Sequence, residues 1–255
     1  MSLKKYPDDL ILFGFHAVRA ALKNPARTFH ALYLTKSAEA ELGDLVDRPD
    51  LPTPHIVSRQ ELDHMLSGDT VHQGLAAACA KIHTPKLLDM AEDLVKSGEE
   101  PLNFMMLDQV TDPHNVGAVL RSCAAFGVKG LIMQKRNSCP VTGTLAKTAV
   151  GALEHVPIFY ERNLSEVIKA LRDLSFLAVG LDEGGTALKA FPLEQYPCRL
   201  LIMGAEGSGL REKTRKYCDQ ILSLQTYGPI SSLNVSVAAG ITLYEAAHYN
   251  REKTE

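Results

Sequence analysis

From Leu102 onward the chain alternates short apolar runs with helical stretches, and this alternation is what most limits the folds open to it. The apolar runs cover residues 102–107, 130–134, 156–160, 176–180, 200–203 and 220–224. Between them lie a helix running to Phe126 with Gly127 as its C′ residue, a helix over 164–174, and a final helix carrying Ala238, Ile241, Leu243, Tyr244 and Ala247. Strand-length apolar runs interleaved with helices predict an α/β fold whose parallel sheet is covered on both faces. Upstream, residues 14–22 read as a short helix, 31–35 as a strand, 61–66 as a short helix and 74–82 as an apolar strand. A small α/β domain is therefore expected over residues 1–81. An amphipathic piece (Leu87, Leu88, Met90, Ala91, Leu94) lies between prolines and Ser97-Gly98-Glu99-Glu100, so 82–101 reads as a linker with a helix in it, and 102–255 as the second domain.

Three polar clusters stand at strand ends. The first is Asp112-Pro113-His114-Asn115-Val116-Gly117-Ala118-Val119-Leu120-Arg121. Asp112 suits an N-cap and Pro113 the first helical position, where its missing N–H costs nothing. Asn115 and Arg121 then sit in a helix among Ala, Val and Leu. An arginine in such a place ordinarily snorkels to water or pairs with a carboxylate, so its weight comes from the clusters that follow. The second is Gly204-Ala205-Glu206-Gly207-Ser208-Gly209-Leu210, where glycines permit positive φ and close approach of backbone to a ligand. It lacks the Lys-Ser/Thr of a P-loop and the spacing of the dinucleotide fingerprint, which argues against a dinucleotide oxidoreductase. An acid between turn glycines has little structural purpose, which singles out Glu206. The third is Ser231-Ser232-Leu233-Asn234-Val235-Ser236, opening the last helix. Ser231 or Ser232 is the expected N-cap, which leaves Asn234 and Ser236, both poor helix formers, unexplained by capping.

In order and spacing these clusters resemble the SpoU-type (TrmH-like) branch of the SPOUT RNA ribose 2′-O-methyltransferases. The matching residues are Asn115, Gly117 and Arg121, then Gly204-x-Glu206-Gly207-x-Gly209-Leu210, then Ser232-Leu233-Asn234-Val235-Ser236. Near the N-terminus, Gly14-Phe15-His16-Ala17-Val18-Arg19-Ala20-Ala21-Leu22 and Val71-His72-Gln73-Gly74 resemble the small substrate-recognition domain of members that modify large-subunit (23S) ribosomal RNA. Where many relatives carry an Ile-Pro-Met-like run, this chain has Leu224-Gln225-Thr226-Tyr227. The resemblance implies a trefoil-knotted methyltransferase domain and a homodimer packed through the C-terminal helix. It implies S-adenosylmethionine as methyl donor, held by Gly204, Ala205, Glu206, Gly207, Gly209, Leu224, Ser232 and Leu233. It also implies catalytic roles for Asn115, Arg121, Glu206, Ser232 and Asn234, with a guanosine as target. The apolar stripe Leu233, Val237, Ile241, Tyr244 fits a dimer face and fits ordinary core packing equally well.

The reaction requires that a ribose hydroxyl lose its proton, lie in line with the methyl–sulfur bond and be shielded from water. No histidine or cysteine stands among the matching residues, and His114 reads as a surface or capping residue. A free arginine, with a pKa of roughly 12.5–13.8, is a poor base. Either its setting makes Arg121 less basic, or Arg121 binds an RNA phosphate and orients the hydroxyl while another group takes the proton. Glu206 is then placed to orient Arg121 or a ribose hydroxyl, with Asn115, Ser232 and Asn234 holding loops and nucleotide. A sulfonium is already activated, so no metal is expected.

Composition sets the remaining bounds. A net charge of −3 is unusual for a nucleic-acid binder, so RNA contact needs a local basic face. Candidates are Arg19, Lys23 and Arg27 at helical spacing, with Lys147 and, less distinctively, Lys129, Lys135 and Arg136. The five cysteines form no C-x-x-C pair, which excludes a zinc site or disulfide framework on pattern. No apolar run is long enough to span a bilayer and the first residues carry no signal-peptide core, so a cytoplasmic, membrane-free protein is expected. The runner-up is the same chemistry on tRNA, disfavoured by the N-terminal domain. A non-catalytic RNA-binding protein would lack Asn115 or Arg121, and both are present.

Overall fold

The structure is a computed structural model that describes residues 3–66 and 70–248; the ends of the expected domains 1–81 and 102–255 at residues 1–2 and 249–255 lie outside the described residues, as do 67–69. The elements run β1 (Leu10–Phe13), α1 (Phe15–Lys23), β2 (Phe29–Leu34), α2 (Lys36–Leu42), β3 (His55–Ile56), α3 (Arg59–Leu66), β4 (Leu75–Cys79) and α4 (Leu87–Ser97). There follow β5 (Leu102–Leu107), α5 (Pro113–Ala125), β6 (Gly130–Gln134), α6 (Gly143–Thr148), β7 (Ile158–Glu161) and α7 (Leu164–Asp173). The last are β8 (Leu177–Ala187), β9 (Cys198–Met203), α8 (Glu212–Tyr217), β10 (Gln220–Ser223) and α9 (Val235–His248). The chain divides into two compact units, one made of the residues up to His83 with Pro140–His155, the other of Thr84–Cys139 and the residues from Val156 on.

The first unit holds a sheet in the order β1-β4-β2-β3, with β4 antiparallel to both β1 and β2, and β2 parallel to β3. Its central strand, β4, is the sequence Leu-Ala-Ala-Ala-Cys, and every residue of it is buried. Leu75, Ala77 and Cys79 join one core with Leu12, Val18, Leu22 and Leu32, while Ala76 and Ala78 join another with Tyr33 and Leu62. Alanine is a weak strand former; burial on both faces, where small side chains let two layers close on the sheet, overrides that preference.

Residues 140–155 were expected within the second domain, yet they pack in the first unit. Ala146 of α6 enters the core beside Leu10 and Leu12. Glu154 receives Arg27 at 2.9 Å in an ion pair whose side chains are 2% and 3% exposed. Asn24 Nδ2 adds a bond to Glu154 at 2.8 Å, and Arg27 Nη1 donates to the Ala80 carbonyl at 2.9 Å. Arg27 is therefore a buried strut rather than a displayed RNA contact, which corrects the expectation from helical spacing. It lies beyond the end of α1, so the spacing does not apply to it.

The second unit holds a fully parallel sheet in the order β10-β8-β9-β5-β6-β7. One face packs through Phe104, Met106, Leu200 and Ile202 onto Ala91 of α4 and Ile168 and Leu171 of α7. On the other face of β9, buried Arg199 reaches the end of α9, donating to the Ala246 carbonyl at 3.2 Å. Burial pushes that guanidinium down to about 10. β8 extends well past the expected 176–180, because after a register shift its residues Thr186 and Ala187 pair with Leu222 and Ser223 of β10. The half-exposed Asp-Glu-Gly-Gly stretch carries no apolar signal of that continuation.

The last helix also begins later than expected, at Val235. Asn234 is its cap: the Asn234 side chain accepts the Ser236 N–H at 2.9 Å, and its carbonyl accepts the Ala238 N–H at 2.9 Å. Ser231 and Ser232, expected as caps, lie instead in the preceding loop.

Candidate active site

In a parallel sheet, ligands gather beyond the carboxyl ends of the strands. Here the loops after β9 and β10 and the outer part of β8 enclose a cavity of about 290 Å³ in the second unit. Its wall includes Leu181, Asp182 and Glu183 from β8, the turn Gly204–Gly209, and Ser223, Leu224, Thr226, Ser231, Ser232, Leu233 and Val235. All eight residues expected to hold the methyl donor line it, namely Gly204, Ala205, Glu206, Gly207, Gly209, Leu224, Ser232 and Leu233.

Two of the glycines are geometrically required. A Cβ on Gly204 would stand 2.1 Å from the Gly209 carbonyl carbon, so the turn closes only without a side chain there. Gly209 has φ +62°, and a Cβ on it would meet Asp182 Oδ1 at 2.7 Å. Just after the turn, the start of α8 is anchored by the buried side chain of Asp108. Its Oδ2 accepts the Thr214 hydroxyl at 2.5 Å, and its Oδ1 pairs with Arg211 Nη2 at 2.7 Å, off hydrogen-bond geometry. Neither Asp108 nor the acids of β8 figured among the expected site residues. The available signal was their place directly after a buried apolar run.

Beside the cavity the three polar clusters meet. Asp112 caps α5 by accepting the His114 N–H at 3.0 Å, which sets Asn115 one turn into the helix. Asn115 Nδ2 donates to Glu206 Oε1 at 3.2 Å, and Asn234 Nδ2 donates to Asn115 Oδ1 at 2.9 Å. Asn234 Nδ2 also reaches Glu206 Oε1, which accepts the Val235 N–H at 3.3 Å as well. The acid with little structural purpose in the sequence is thus the acceptor on which segments 91 and 28 residues away converge. Glu206 Oε2 has no partner among the described residues.

Arg121 is not drawn into this group. Six residues after Asn115, it stands about 240° further around α5, exposed and without a hydrogen bond to any described residue. Ser232 lines the cavity but makes no bond to the trio. In the first unit Arg19 and Lys23 are exposed on α1, with the Arg19 guanidinium 5.9 Å from the Phe15 ring centroid. Lys147 is half-buried beside Gly14. The Val-His-Gln-Gly motif proves to be a brace: Gln73 Oε1 accepts the Phe15 N–H at 3.0 Å, and His72 joins Asp63 at 2.9 Å and the Gly74 N–H at 3.0 Å. Among the described residues no group of acids, histidines and cysteines could hold a metal, and no helix is long and apolar enough to cross a membrane.

Residues 103–244 match the SpoU rRNA methylase family, and residues 11–85 match the RNA 2′-O ribose methyltransferase substrate-binding domain. The 23S rRNA (guanosine-2′-O-)-methyltransferase RlmB of Escherichia coli K12 is 37% identical over 247 residues, 92% of this chain and 97% of the relative. RlmB of Shewanella oneidensis is 38% identical over 248 residues, 94% and 98% of the two chains. Among solved structures, the SpoU methyltransferase AviRb of Streptomyces viridochromogenes in complex with AdoMet superposes with a TM-score of 0.78 at 22% identity, covering 97% of this chain and 92% of that one. The chain belongs to the SpoU rRNA methylase family, with the family's substrate-binding domain ahead of its methylase domain.

Proposed function

We propose that this chain transfers a methyl group from S-adenosylmethionine to the ribose 2′-oxygen of a guanosine in 23S ribosomal RNA, without a metal. The observation that carries the reading is the meeting of Asn115, Glu206 and Asn234 beside a glycine-turned cavity, in a chain 37% identical to a 23S rRNA guanosine-2′-O-methyltransferase over nearly its whole length.

The cavity suits this donor on its own chemistry. Among the described residues its wall carries three carboxylates and no lysine, arginine or histidine, as expected for a ligand with a cationic centre. Bound there, S-adenosylmethionine supplies a methyl group already activated on sulfonium sulfur. Gly204, Gly207 and Gly209 leave backbone bare on one side, while Leu224, Ser232 and Leu233 cover another. Glu206 Oε1 is fixed by three donors, so Oε2 is held in one direction and orients the ribose hydroxyl. Asn115 and Asn234 lock the loops that carry these groups. Arg121, exposed and unpaired among the described residues, binds an RNA phosphate and turns the hydroxyl toward the donor. The chain between the second and third clusters threads a loop, and the resulting trefoil knot forms the donor pocket.

Two chains pack through the exposed stripe of Leu233, Val237, Ile241 and Tyr244. Residues 1–81, joined by 140–155, recognise RNA through Arg19, Lys23 and Lys147, while 82–101 connect and the remainder carries the chemistry. The protein works in the cytoplasm, where its ribosomal substrate is assembled.

The test is methyl transfer from labelled S-adenosylmethionine to unmodified 23S rRNA and, separately, to unmodified tRNA, with product nucleosides separated. Label in 2′-O-methylguanosine of the ribosomal RNA is the expected result. Label in tRNA alone would keep the chemistry and overturn the substrate.

A further inference from the structure

The three carboxylates of the cavity wall differ in their partners. Glu206 is held by Asn115, Asn234 and the Val235 N–H. Asp182 accepts the Glu183 N–H at 2.9 Å through Oδ1 and pairs with Arg215 through Oδ2. The Glu183 carboxylate has no hydrogen bond or ion pair with any described residue, although two other acids share its cavity. Like charges gathered on one wall repel, and a cation entering the cavity relieves that repulsion. Asp182 stands 2.7 Å from the Cβ position of Gly209, so the strand carrying Glu183 abuts the turn that presents Glu206. Glu183, itself exposed, thus belongs to the wall beside which the catalytic trio meets.

We propose that Glu183 pairs with the sulfonium side of the methyl donor and makes this pocket favour the charged donor over its neutral thioether product. The proposal rests on the cofactor reading given above and goes beyond it by assigning a discriminating residue. In methyl transfer the ribose O–C bond forms as the S–C bond breaks, the hydroxyl proton passes to water, and the sulfur keeps the bonding pair as an uncharged thioether. The α-ammonium and carboxylate of the amino-acid end are unchanged. Only a group facing the sulfonium feels the difference, so its attraction is present before transfer and absent after it, which favours product release.

The experiment is calorimetric titration of the full chain and of Glu183→Gln with three probes. These are S-adenosylmethionine, S-adenosylhomocysteine, and sinefungin, which keeps a positive charge near the sulfur position. In the variant, S-adenosylmethionine and sinefungin should each weaken by about fivefold, the scale of a partly exposed ion pair, with S-adenosylhomocysteine nearly unchanged. Glu183→Asp should retain part of the preference, and equal thermal unfolding of both variants would exclude a folding artefact. Equal weakening of all three probes, or none, overturns the proposal alone. A wild-type chain that binds none of them overturns the cofactor reading, and this proposal with it.

Discussion

Two polar clusters tie distant parts of this chain together, and they differ in how much water reaches them. In the first unit Arg27, Asn24 and Glu154 are joined across about 130 residues, and the Arg27–Glu154 pair is almost wholly buried. In the second unit Asn115, Glu206 and Asn234 are joined across 28 to 119 residues at an exposed rim, with Glu206 Oε2 left over. A buried pair leaves its charges nothing else to bind, so its function is to hold an element in place. An exposed trio keeps unused acceptors facing a cavity, so it can act on a ligand. Neither set of partners is visible in the neighbouring sequence.

The sharpest way to break this contrast is to cut the buried pair. Glu154→Ala strands the Arg27 guanidinium in the interior and should cost about 3–5 kcal/mol of stability, read as a large fall in the unfolding midpoint. Arg121→Ala is the counterpart from the exposed side. It should lower turnover by about 10²–10³-fold while leaving the unfolding midpoint and donor binding in place; normal turnover would remove Arg121 from the mechanism. Gly209→Ala probes the turn between them. Positive φ and the Asp182 contact should impose about 1–3 kcal/mol of strain, seen as weaker binding of S-adenosylmethionine with the rest of the fold intact. The smallest effect is expected from Lys23→Ala on α1, which should flatten the salt dependence of RNA binding by about one unit of slope without altering stability. An equal effect from Arg27→Lys on that slope would contradict the burial of Arg27.

Much of the site was legible because its signals are local. Asp112 and Pro113 announce the start of α5, and the structure places the cap bond there. The glycine turn after a buried strand and the acid within it pointed to the cavity that Gly204, Glu206 and Gly209 do line. The acids of β8 were missed because Asp182 and Glu183 sit in a polar, glycine-rich stretch that reads as loop. Only pairing with β10 makes it strand. Asn234 was misread for a related reason: two serines upstream were equally good caps by type, and the contacts of Asn234 with Asn115 and Glu206 fix the helix start at Val235.

The sequence by itself determined the alternation of strands and helices, the parallel sheet and the three polar clusters with their order. These follow from periodicity and capping, whose causes lie within a few residues. Tertiary structure alone decided that Arg27 is buried, that residues 140–155 pack with the first unit, that alanine-rich β4 is an inner strand, and that Glu183 lines the cavity unpaired among the described residues. Each of these depends on which surfaces meet across tens to more than a hundred residues of chain, and burial and charge pairing are set by that meeting rather than by neighbours in sequence.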